Sequence, residues 1–207
     1  MSLTDRSIAF AEKRRAILDA AVRVFARNGF HTSRVGDVAV EAGVAHGLLY
    51  HYFPSKEELL ATIFRDTWRA LLEALREVEE SDEPAPEQLR KVAAIVLRTW
   101  RREPDLVRVL VREVARGPQL TREIDEIGQA MDAIERIVAR GQERGELRSD
   151  VDARLAAVIL YGALDEILTG WVLGQLSDRE EDVARAERAV VDVVAGGLLG
   201  AAVGAPS

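Results

Sequence analysis

Residues 42–56 read AGVAHGLLYHYFPSK and contain no acidic residue, although the chain of 207 residues carries 35 Asp and Glu and a formal net charge of −7. Gly43 and Pro54 predict the limits of a short helix, because glycine favours a helix end and proline cannot continue a helix. This helix, at roughly 45–52, contains two of the three histidines of the chain. A surface without carboxylates favours approach to a negatively charged partner.

The residues before this stretch predict two further helices. Asn28 and Gly29 end the first helix, with Gly29 in the left-handed conformation, and Phe30 can fold back onto Phe25. Ser33 is the predicted N-cap of a short second helix. Apolar residues spaced by three and four positions mark the buried faces of both helices: Ile17, Ala20, Ala21, Val24, Phe25, Val35, Val38, Ala39 and Ala42. The second and third helices have the shape of a helix-turn-helix, whose second helix fits the DNA major groove.

The rest of the chain predicts six more helices and no pair of strands. Ser55 and Glu58 form a predicted capping box at the start of a long fourth helix, which runs to about Glu80. The other limits are predicted at Pro86 for the fifth helix, Pro104 and Gly117 for the sixth, Ile124 and the RGEL segment at 144–147 for the seventh, Asp150 or Asp152 for the eighth, and Asp178 for the ninth. The predicted fold is all-α, with a three-helix helix-turn-helix DNA-binding domain at 1–54 and a six-helix effector-binding and dimerisation domain at 55–207.

Composition excludes several kinds of site. The chain has no cysteine, so disulfides, thiolate zinc sites and a cysteine nucleophile are excluded.

Residues 155–176 are strongly apolar, but Asp165 and Glu166 lie at their centre, and a charge at mid-bilayer costs about 2.5–3.5 kcal/mol. A helix buried in a soluble protein is therefore predicted, and no membrane partner. The N-terminus has no apolar secretory segment, so we expect a cytoplasmic protein.

Two N-terminal segments resemble the tetracycline-repressor (TetR) family of bacterial transcriptional regulators. They are KRRAILDAAVRVFARNGF at 13–30 and SRVGDVAVEAGVAHGLLYHYFPSKEELL at 33–60. They are similar to the family's AxxxFxxxGF, followed by a Ser or Thr and xxxxIAxxAGVxxGxLYxxFxxKExLL. The resemblance implies a dimeric, all-helical regulator that binds double-stranded operator DNA, represses transcription and is released by a small-molecule effector.

The resemblance also implies which residues touch DNA. Leu48 would face bases, Tyr50 and His51 would contact the DNA backbone, and Lys56 would contact a phosphate. Leu49 and Phe53 are predicted to belong to the core. The full predicted set is Ser33, Arg34, Ala45, His46, Gly47, Leu48, Tyr50, His51 and Lys56. Two alternatives stay open: Tyr50 as a partly buried core residue, and the histidines as solvated bystanders.

Three residues depart from the family pattern. Ala45 replaces the common Ser, so the N-cap of the third helix lacks a side-chain oxygen. Gly36 stands where a polar residue is frequent, which weakens the second helix. His46 replaces the usual Lys, so a contact there gains its charge only when the imidazole is protonated. These departures predict weaker and more pH-dependent DNA contacts.

The resemblance implies a homodimer formed through the last two helices. A helix-turn-helix protein reads two half-sites about one turn of DNA apart, which requires two copies. The eighth helix is apolar nearly all round, and small residues of the ninth, Ala186, Ala189 and Gly197, permit close packing. The alternative is that both helices belong to the core of one chain.

The body contains an aromatic and apolar set that could line a pocket for a lipophilic effector. The predicted ligand-binding residues are Phe64, Trp68, Leu97, Trp100, Met131, Ile134, Tyr161, Leu164, Asp165 and Leu168. The segment GALDEILTGWVLG at 162–174 is similar to the branch of the family that senses fatty acids as acyl-CoA esters. Under that interpretation four arginines would meet the CoA phosphates: Arg98, Arg101, Arg102 and Arg108.

Other function classes find less support in the sequence. No HExxH or GxSxG motif is present, and the glycines at 196–204 follow a helix instead of a strand, so no enzyme, cofactor or metal site is predicted. His46 and His51 would lie about 140° apart around a helix, which disfavours joint metal binding. The remaining alternative is a helical adaptor or ligand-binding protein that does not bind DNA.

Overall fold

The computed structural model describes residues 3–114 and 125–198, and every regular element within them is an α-helix, which confirms the predicted fold class. The predicted helix limits at Gly117 and Ile124 lie outside the described residues. The helices are α1 (Leu3–Asn28), α2 (Val35–Glu41), α3 (His46–Tyr52), α4 (Lys56–Glu79), α5 (Ala85–Arg102), α6 (Pro104–Val114), α7 (Asp125–Glu143), α8 (Ala153–Val172) and α9 (Glu180–Leu198).

The chain forms two compact units, which separate between Thr67 and Trp68 and again between Glu103 and Pro104. The first unit contains α1, α2, α3, the beginning of α4, and α6. The second contains the remainder of α4 with α5, α7, α8 and α9. Helix α6 packs on α1, which accounts for its place in the first unit.

Helix α1 forms the centre of the first unit. Gly29 follows it at φ +81°, the left-handed conformation predicted for the residue that ends this helix. Phe30 then turns back, and its ring meets that of Phe25 edge to face at 5.3 Å between centroids, as predicted. The predicted apolar face of α1 is buried: Ile17, Ala20, Ala21, Val24 and Phe25.

The start of α2 differs from the prediction. Its N-cap is Arg34, and the backbone N–H of Arg34 donates to a carboxylate oxygen of Asp37 at 2.9 Å. Ser33 is buried, and its hydroxyl donates to the carbonyl oxygen of Gly29 at 2.6 Å. The prediction of Ser33 as the N-cap was wrong, because this hydroxyl closes the turn that precedes the helix.

Helix α4 begins with half of its predicted capping box. The Ser55 hydroxyl accepts a hydrogen bond from the backbone N–H of Glu58 at 3.1 Å. The carboxylate of Glu58 points the other way, where it accepts from Arg65 at 2.6 Å. The reciprocal half of the box was therefore wrong, because a guanidinium is a stronger donor than a neutral backbone N–H.

The second unit is built from pairwise contacts of α7 with α8, α9 with α5, and α5 with both α7 and α8. Gly141 marks a close approach of α7 to its neighbours. A methyl group at this position would lie 2.5 Å from the Cβ of Ala85 and 2.8 Å from a terminal carbon of Leu147. Helix α7 ends at Glu143, immediately before the predicted break at 144–147.

Helix α8 is the central apolar helix of the second unit. Asp152 caps it by accepting from the N–H of Leu155 at 2.8 Å, which confirms one of the two predicted starts. Among the described helices, α8 is long and apolar enough to cross a membrane, by length and composition. Its contacts with α5, α7 and α9 and the charges of Asp165 and Glu166 favour a core helix. Helix α9 begins at Glu180 and not at the predicted Asp178.

Candidate nucleic-acid interface and effector region

Helix α3 and its N-cap present an exposed surface without a carboxylate. The exposed residues are Ala45, His46, Gly47, Leu48, Tyr50 and His51. Tyr50 is 46% exposed, and its ring meets that of His46 edge to face at 5.1 Å between centroids. The fold thus brings six of the predicted DNA-binding residues together on one segment.

The opposite face of α3 is fixed to the first unit. Leu49 and Phe53 are buried at 0% and 2% exposure, which confirms their predicted place in the core. The ring of Tyr52 stacks on that of Phe10 in α1 at 4.5 Å between centroids. Ala45 is the N-cap and offers no side-chain bond, as predicted. The orientation of α3 therefore depends on contacts outside the helix.

Lys56 is the first residue of α4, and its side chain reaches into the turn between α1 and α2. Its ammonium donates to the carbonyl oxygens of Phe30 at 3.1 Å, His31 at 3.2 Å and Ser33 at 3.4 Å. It also lies 4.7 Å from the ring centroid of Phe30. A phosphate contact by Lys56 stays a prediction, and it requires the ammonium to leave these oxygens. The sequence pattern contained no signal for this internal role.

The other two predicted DNA-binding residues differ in accessibility. Ser33 is 3% exposed and its hydroxyl is already used within the turn, so this side chain does not reach the surface. Arg34, by contrast, is exposed. Among the residues described, no ion pair engages its guanidinium.

Helix α2 is attached to α1 by one carboxylate. Glu41 accepts from Arg23 at 2.8 Å and from Arg27 at 3.2 Å. The hydrogen bonds from these two guanidinium groups hold the pKa of Glu41 below its usual range. The negative charge of Glu41, which immediately precedes the carboxylate-free stretch, is therefore balanced by two arginines of α1.

Two side chains of α6 touch the turn region of the first unit. A guanidinium nitrogen of Arg112 donates to the carbonyl oxygen of Ala26 at 3.2 Å. The nearly buried carboxylate of Glu113 lies 3.6 Å from the imidazole Nε2 of His31. Sequence reasoning missed both contacts, because the partners are far apart along the chain and follow no common motif.

The predicted effector residues differ widely in burial. Phe64, Leu97, Trp100, Ile134 and Leu164 are buried. Trp68, Met131, Tyr161 and Leu168 are partly buried, and Asp165 is exposed. Phe64 belongs to the first unit and the other nine to the second, where α5, α7 and α8 pack together.

The arginines proposed for CoA phosphates are largely engaged by acids of this chain. Arg98 makes a two-pronged contact with Glu187 at 2.9–3.1 Å. Arg101 pairs with Glu180 at 2.9 Å, and Arg108 with Asp105 at 2.7 Å. Arg102 is exposed and makes no ion pair with a described residue.

A polar cleft of about 230 Å³ lies between α4 and α7. Its walls are formed by Arg69, Leu72, Glu73, Arg76, Glu126 and Gln129. None of these residues belongs to the predicted effector set. Equal numbers of basic and acidic side chains line it, so the cleft does not by itself favour an anion.

The exposed faces of α8 and α9 carry apolar side chains, and that of α8 also carries two acidic residues. Leu155 and Ile159 of α8 are 54% and 51% exposed, and Val193 of α9 is 75% exposed. Asp165 and Glu166 lie on the exposed side of α8. Loss of hydration raises the pKa of the Asp165 carboxyl, and the charge of Glu166 raises it further.

Comparison with protein families assigns most of the chain. Residues 17–63 match the family described as "Bacterial regulatory proteins, tetR family". Residues 64–197 match the family described as "YsiA-like protein, C-terminal region".

Relatives extend over nearly the whole length. The fatty acid metabolism regulator protein of Bacillus subtilis (strain 168) is 30% identical over 184 residues, which cover 88% of this chain and 93% of that protein. The solved structure of FadR from B. subtilis in complex with stearoyl-CoA has a TM-score of 0.79 and 29% identity, covering 89% of this chain and 98% of that one. The fatty acid degradation regulator FadR from Bacillus halodurans has a TM-score of 0.81 and 28% identity, covering 90% and 96%.

Proposed function

Because the chain belongs to the tetR family of bacterial regulatory proteins, we propose that it is a transcriptional repressor that binds an operator and is released by a lipophilic effector, a fatty acyl-CoA. The observation that carries the DNA-binding part is the exposed, carboxylate-free face of α3. The matching family and the relatives are those of transcriptional regulators. The expected location is the cytoplasm, where the operator is.

The exposed side of α3 has the chemistry of a DNA-reading surface. Imidazole and phenol groups donate to phosphate oxygens, and such contacts set the register of a protein on the duplex. Leu48, 39% exposed on this face, would touch apolar base edges such as the thymine methyl group. Arg34 at the start of α2 adds a cation. Ser33 and Lys56 serve this surface indirectly, because they hold the turn that precedes α2.

The effector part of the proposal is supported by the relatives and by the second unit. A B. subtilis relative was solved with stearoyl-CoA. The second unit supplies the aromatic and aliphatic side chains that an acyl chain requires, on α5, α7 and α8. For the CoA phosphates, Arg102 is better placed than Arg98 and Arg101, which are held by acids of their own chain.

The proposed repressor is a homodimer formed through α8 and α9. The exposed apolar side chains on these helices give a face that a second copy would cover. Among the described residues, no heavy atom lies within 4 Å of the position of a Cβ at Gly196 or Gly197 of α9, so a partner can approach the backbone there. We keep the division into a DNA-binding domain at 1–54 and an effector domain at 55–207 as part of this proposal.

A gel-shift experiment with the DNA upstream of the protein's own gene tests the proposal. We expect a sequence-specific, salt-sensitive shift that stearoyl-CoA abolishes and that CoA alone leaves intact. Leu48→Asp places a carboxylate on the reading face and should abolish the shift. Ala70→Asp, at an exposed position of α4 in the second unit and outside the proposed dimer face, is the matched control. The absence of a specific shift at every protein concentration would refute the regulator, and a shift insensitive to stearoyl-CoA would refute the effector.

A further inference from the structure

The indole nitrogen of Trp68 is a buried donor without an acceptor. Among the described residues, no protein group accepts a hydrogen bond from its Nε1, although the atom is enclosed. Trp171 offers the contrast within the same unit, because its Nε1 donates to the carbonyl oxygen of Ser177 at 3.1 Å. Buried tryptophan N–H groups normally find a partner, so the exception requires an explanation.

Trp68 lies beside apolar side chains on the buried face of α4. Leu72 and Leu75, four and seven residues further along the helix, are 5% and 1% exposed. Leu72 also forms part of the wall of the polar cleft, together with Arg69, Glu73 and Arg76 of the same helix. The indole N–H therefore lies next to apolar side chains of its own helix and has no acceptor among the described residues.

A ligand that satisfies such a group must bring an acceptor into an apolar environment. An indole N–H only donates, so a bare alkyl chain would leave it unpaired. A fatty acyl thioester carries one carbonyl oxygen at the junction between its alkyl chain and its polar carrier. Tryptophan matches that junction, because its ring packs against the chain while its nitrogen reaches the oxygen.

We propose that the Trp68 indole N–H donates a hydrogen bond to the thioester carbonyl oxygen of the effector. This assignment rests on the proposed function and adds a selectivity to it. The site then distinguishes an acyl-CoA from an S-alkyl-CoA of equal length, because the S-alkyl compound lacks the oxygen and leaves the buried donor unpaired.

Nitrogen-15 labelling of the tryptophan side chains tests the bond directly in the full-length protein. The three indole N–H signals are assigned with Trp68→Phe, Trp100→Phe and Trp171→Phe. Stearoyl-CoA should move the Trp68 signal downfield, as expected for a new hydrogen bond, and S-octadecyl-CoA should not. An unmoved Trp68 signal in protein saturated with stearoyl-CoA would overturn the assignment, as would an equal shift with both ligands.

Affinity measurements by calorimetry separate this assignment from the proposed function. Trp68→Phe keeps an aromatic ring and removes the donor, so it should bind stearoyl-CoA about two- to tenfold more weakly. The affinity for S-octadecyl-CoA should stay within twofold of that of the unsubstituted protein. Tight binding of stearoyl-CoA with no preference over S-octadecyl-CoA would overturn the assignment alone. Absence of stearoyl-CoA binding to the unsubstituted protein would overturn the proposed effector and the assignment with it.

Discussion

The ammonium of Lys56 donates a 3.1 Å hydrogen bond to the carbonyl oxygen of Phe30, and it reaches two further carbonyl oxygens of the same turn. A cation at the start of α4 thereby fixes the segment that leads into α2. The same residue would contact phosphate according to the family pattern. Stability and DNA affinity can distinguish the two roles, because only the internal role operates without DNA.

Lys56→Met should lower the free energy of unfolding by about 2 kcal/mol, because hydrogen bonds to charged groups contribute about 1.5–3 kcal/mol. Urea unfolding in the absence of DNA measures this effect. Lys13→Met, at an exposed lysine of α1, is the control and should change little. Unchanged stability of Lys56→Met together with weakened operator binding would assign Lys56 to phosphate contact instead.

If His46 and His51 contact the DNA backbone as proposed, operator affinity should rise as the pH falls from about 7.5 to about 6, the range in which histidine side chains in general gain a proton. The double variant His46→Gln, His51→Gln should flatten this dependence. Titration of labelled operator at constant ionic strength provides the measurement. His31→Gln is the matched control, because His31 lies outside α3, and it should keep the full pH dependence. An undiminished slope in the double variant would exclude both histidines.

Gly141→Ala should destabilise the second unit by about 1–3 kcal/mol, because its methyl group would collide with the Cβ of Ala85, which cannot rotate away. Gly128→Ala in the same helix is the control, since no heavy atom lies within 4 Å of the added carbon. This control should be neutral or more stable by up to about 1 kcal/mol, owing to the higher helix propensity of alanine. Chemical unfolding of both variants should therefore give changes of opposite direction.

Ionisation of Glu79 should make the free energy of unfolding depend on pH. The carboxylate accepts from Arg136 at 2.7 and 2.9 Å, and these hydrogen bonds lower its pKa. Its contribution is therefore present above the pKa of the unfolded chain and is lost as the pH falls through the lower folded value. Glu79→Gln should reduce the free energy of unfolding by about 1 kcal/mol at pH 7, with allowance for the half-exposed guanidinium.

Urea unfolding at pH 7 and near pH 3 tests this dependence, because the difference between Glu79→Gln and the unsubstituted protein should shrink at the lower pH. Glu77→Gln, on the same helix but exposed and without an ion pair among the described residues, is the control. A deficit of equal size at both pH values would show that the carboxylate charge is not its cause.

Ionisation of Asp165 should lower the stability of the protein, whereas ionisation of Glu79 raises it. The pKa of Asp165 is raised by lost hydration and by the charge of Glu166, so the folded protein disfavours its ionised form. Asp165→Asn should therefore increase stability at pH 7, by less than about 1 kcal/mol because the residue is exposed. The gain should disappear as the pH falls below the pKa of an aspartate in the unfolded chain, where Asp165 itself is protonated.

Analytical ultracentrifugation extends this prediction to the proposed dimer. If a second copy covers α8, Asp165→Asn should also tighten association at neutral pH. Asp178→Asn, in the exposed segment before α9, is the control for a general effect of net charge. Weaker association of Asp165→Asn would indicate that the carboxylate has a partner across the interface.

Sequence patterns predicted the parts of the fold that depend on local spacing. Apolar spacing located α1 and α2, Gly43 and Pro54 limited α3, and the left-handed Gly29 was predicted from neighbouring residues alone. The failures concern the choice of a hydrogen-bond partner. Ser33 and Glu58 each had a standard local partner in the sequence, and each takes another group that the fold brings near. The three carbonyl contacts of Lys56 had no signal in the sequence. Such choices depend on relative donor strength and tertiary proximity, which spacing does not encode.

In the effector region, too, contacts between residues far apart along the chain could not be predicted from the sequence. Leu97, Ile134 and Leu164 were selected for their apolar side chains and are buried, whereas the pairing of Arg98 with Glu187 joins residues 89 positions apart. The polar cleft at Arg69 and the enclosed nitrogen of Trp68 carry no sequence signature either. Both are consequences of how α4 is oriented in the packed chain.

The short length of α3 has a practical consequence. Seven residues with an alanine N-cap are too few to remain helical alone, so an isolated peptide of this sequence should be a random coil. The surrounding unit supplies the helicity through Leu49 and Phe53, while the outward positions contribute little to folding. Those positions can therefore be randomised in a library with small loss of stability, which makes this protein a suitable scaffold for selecting new operator specificities.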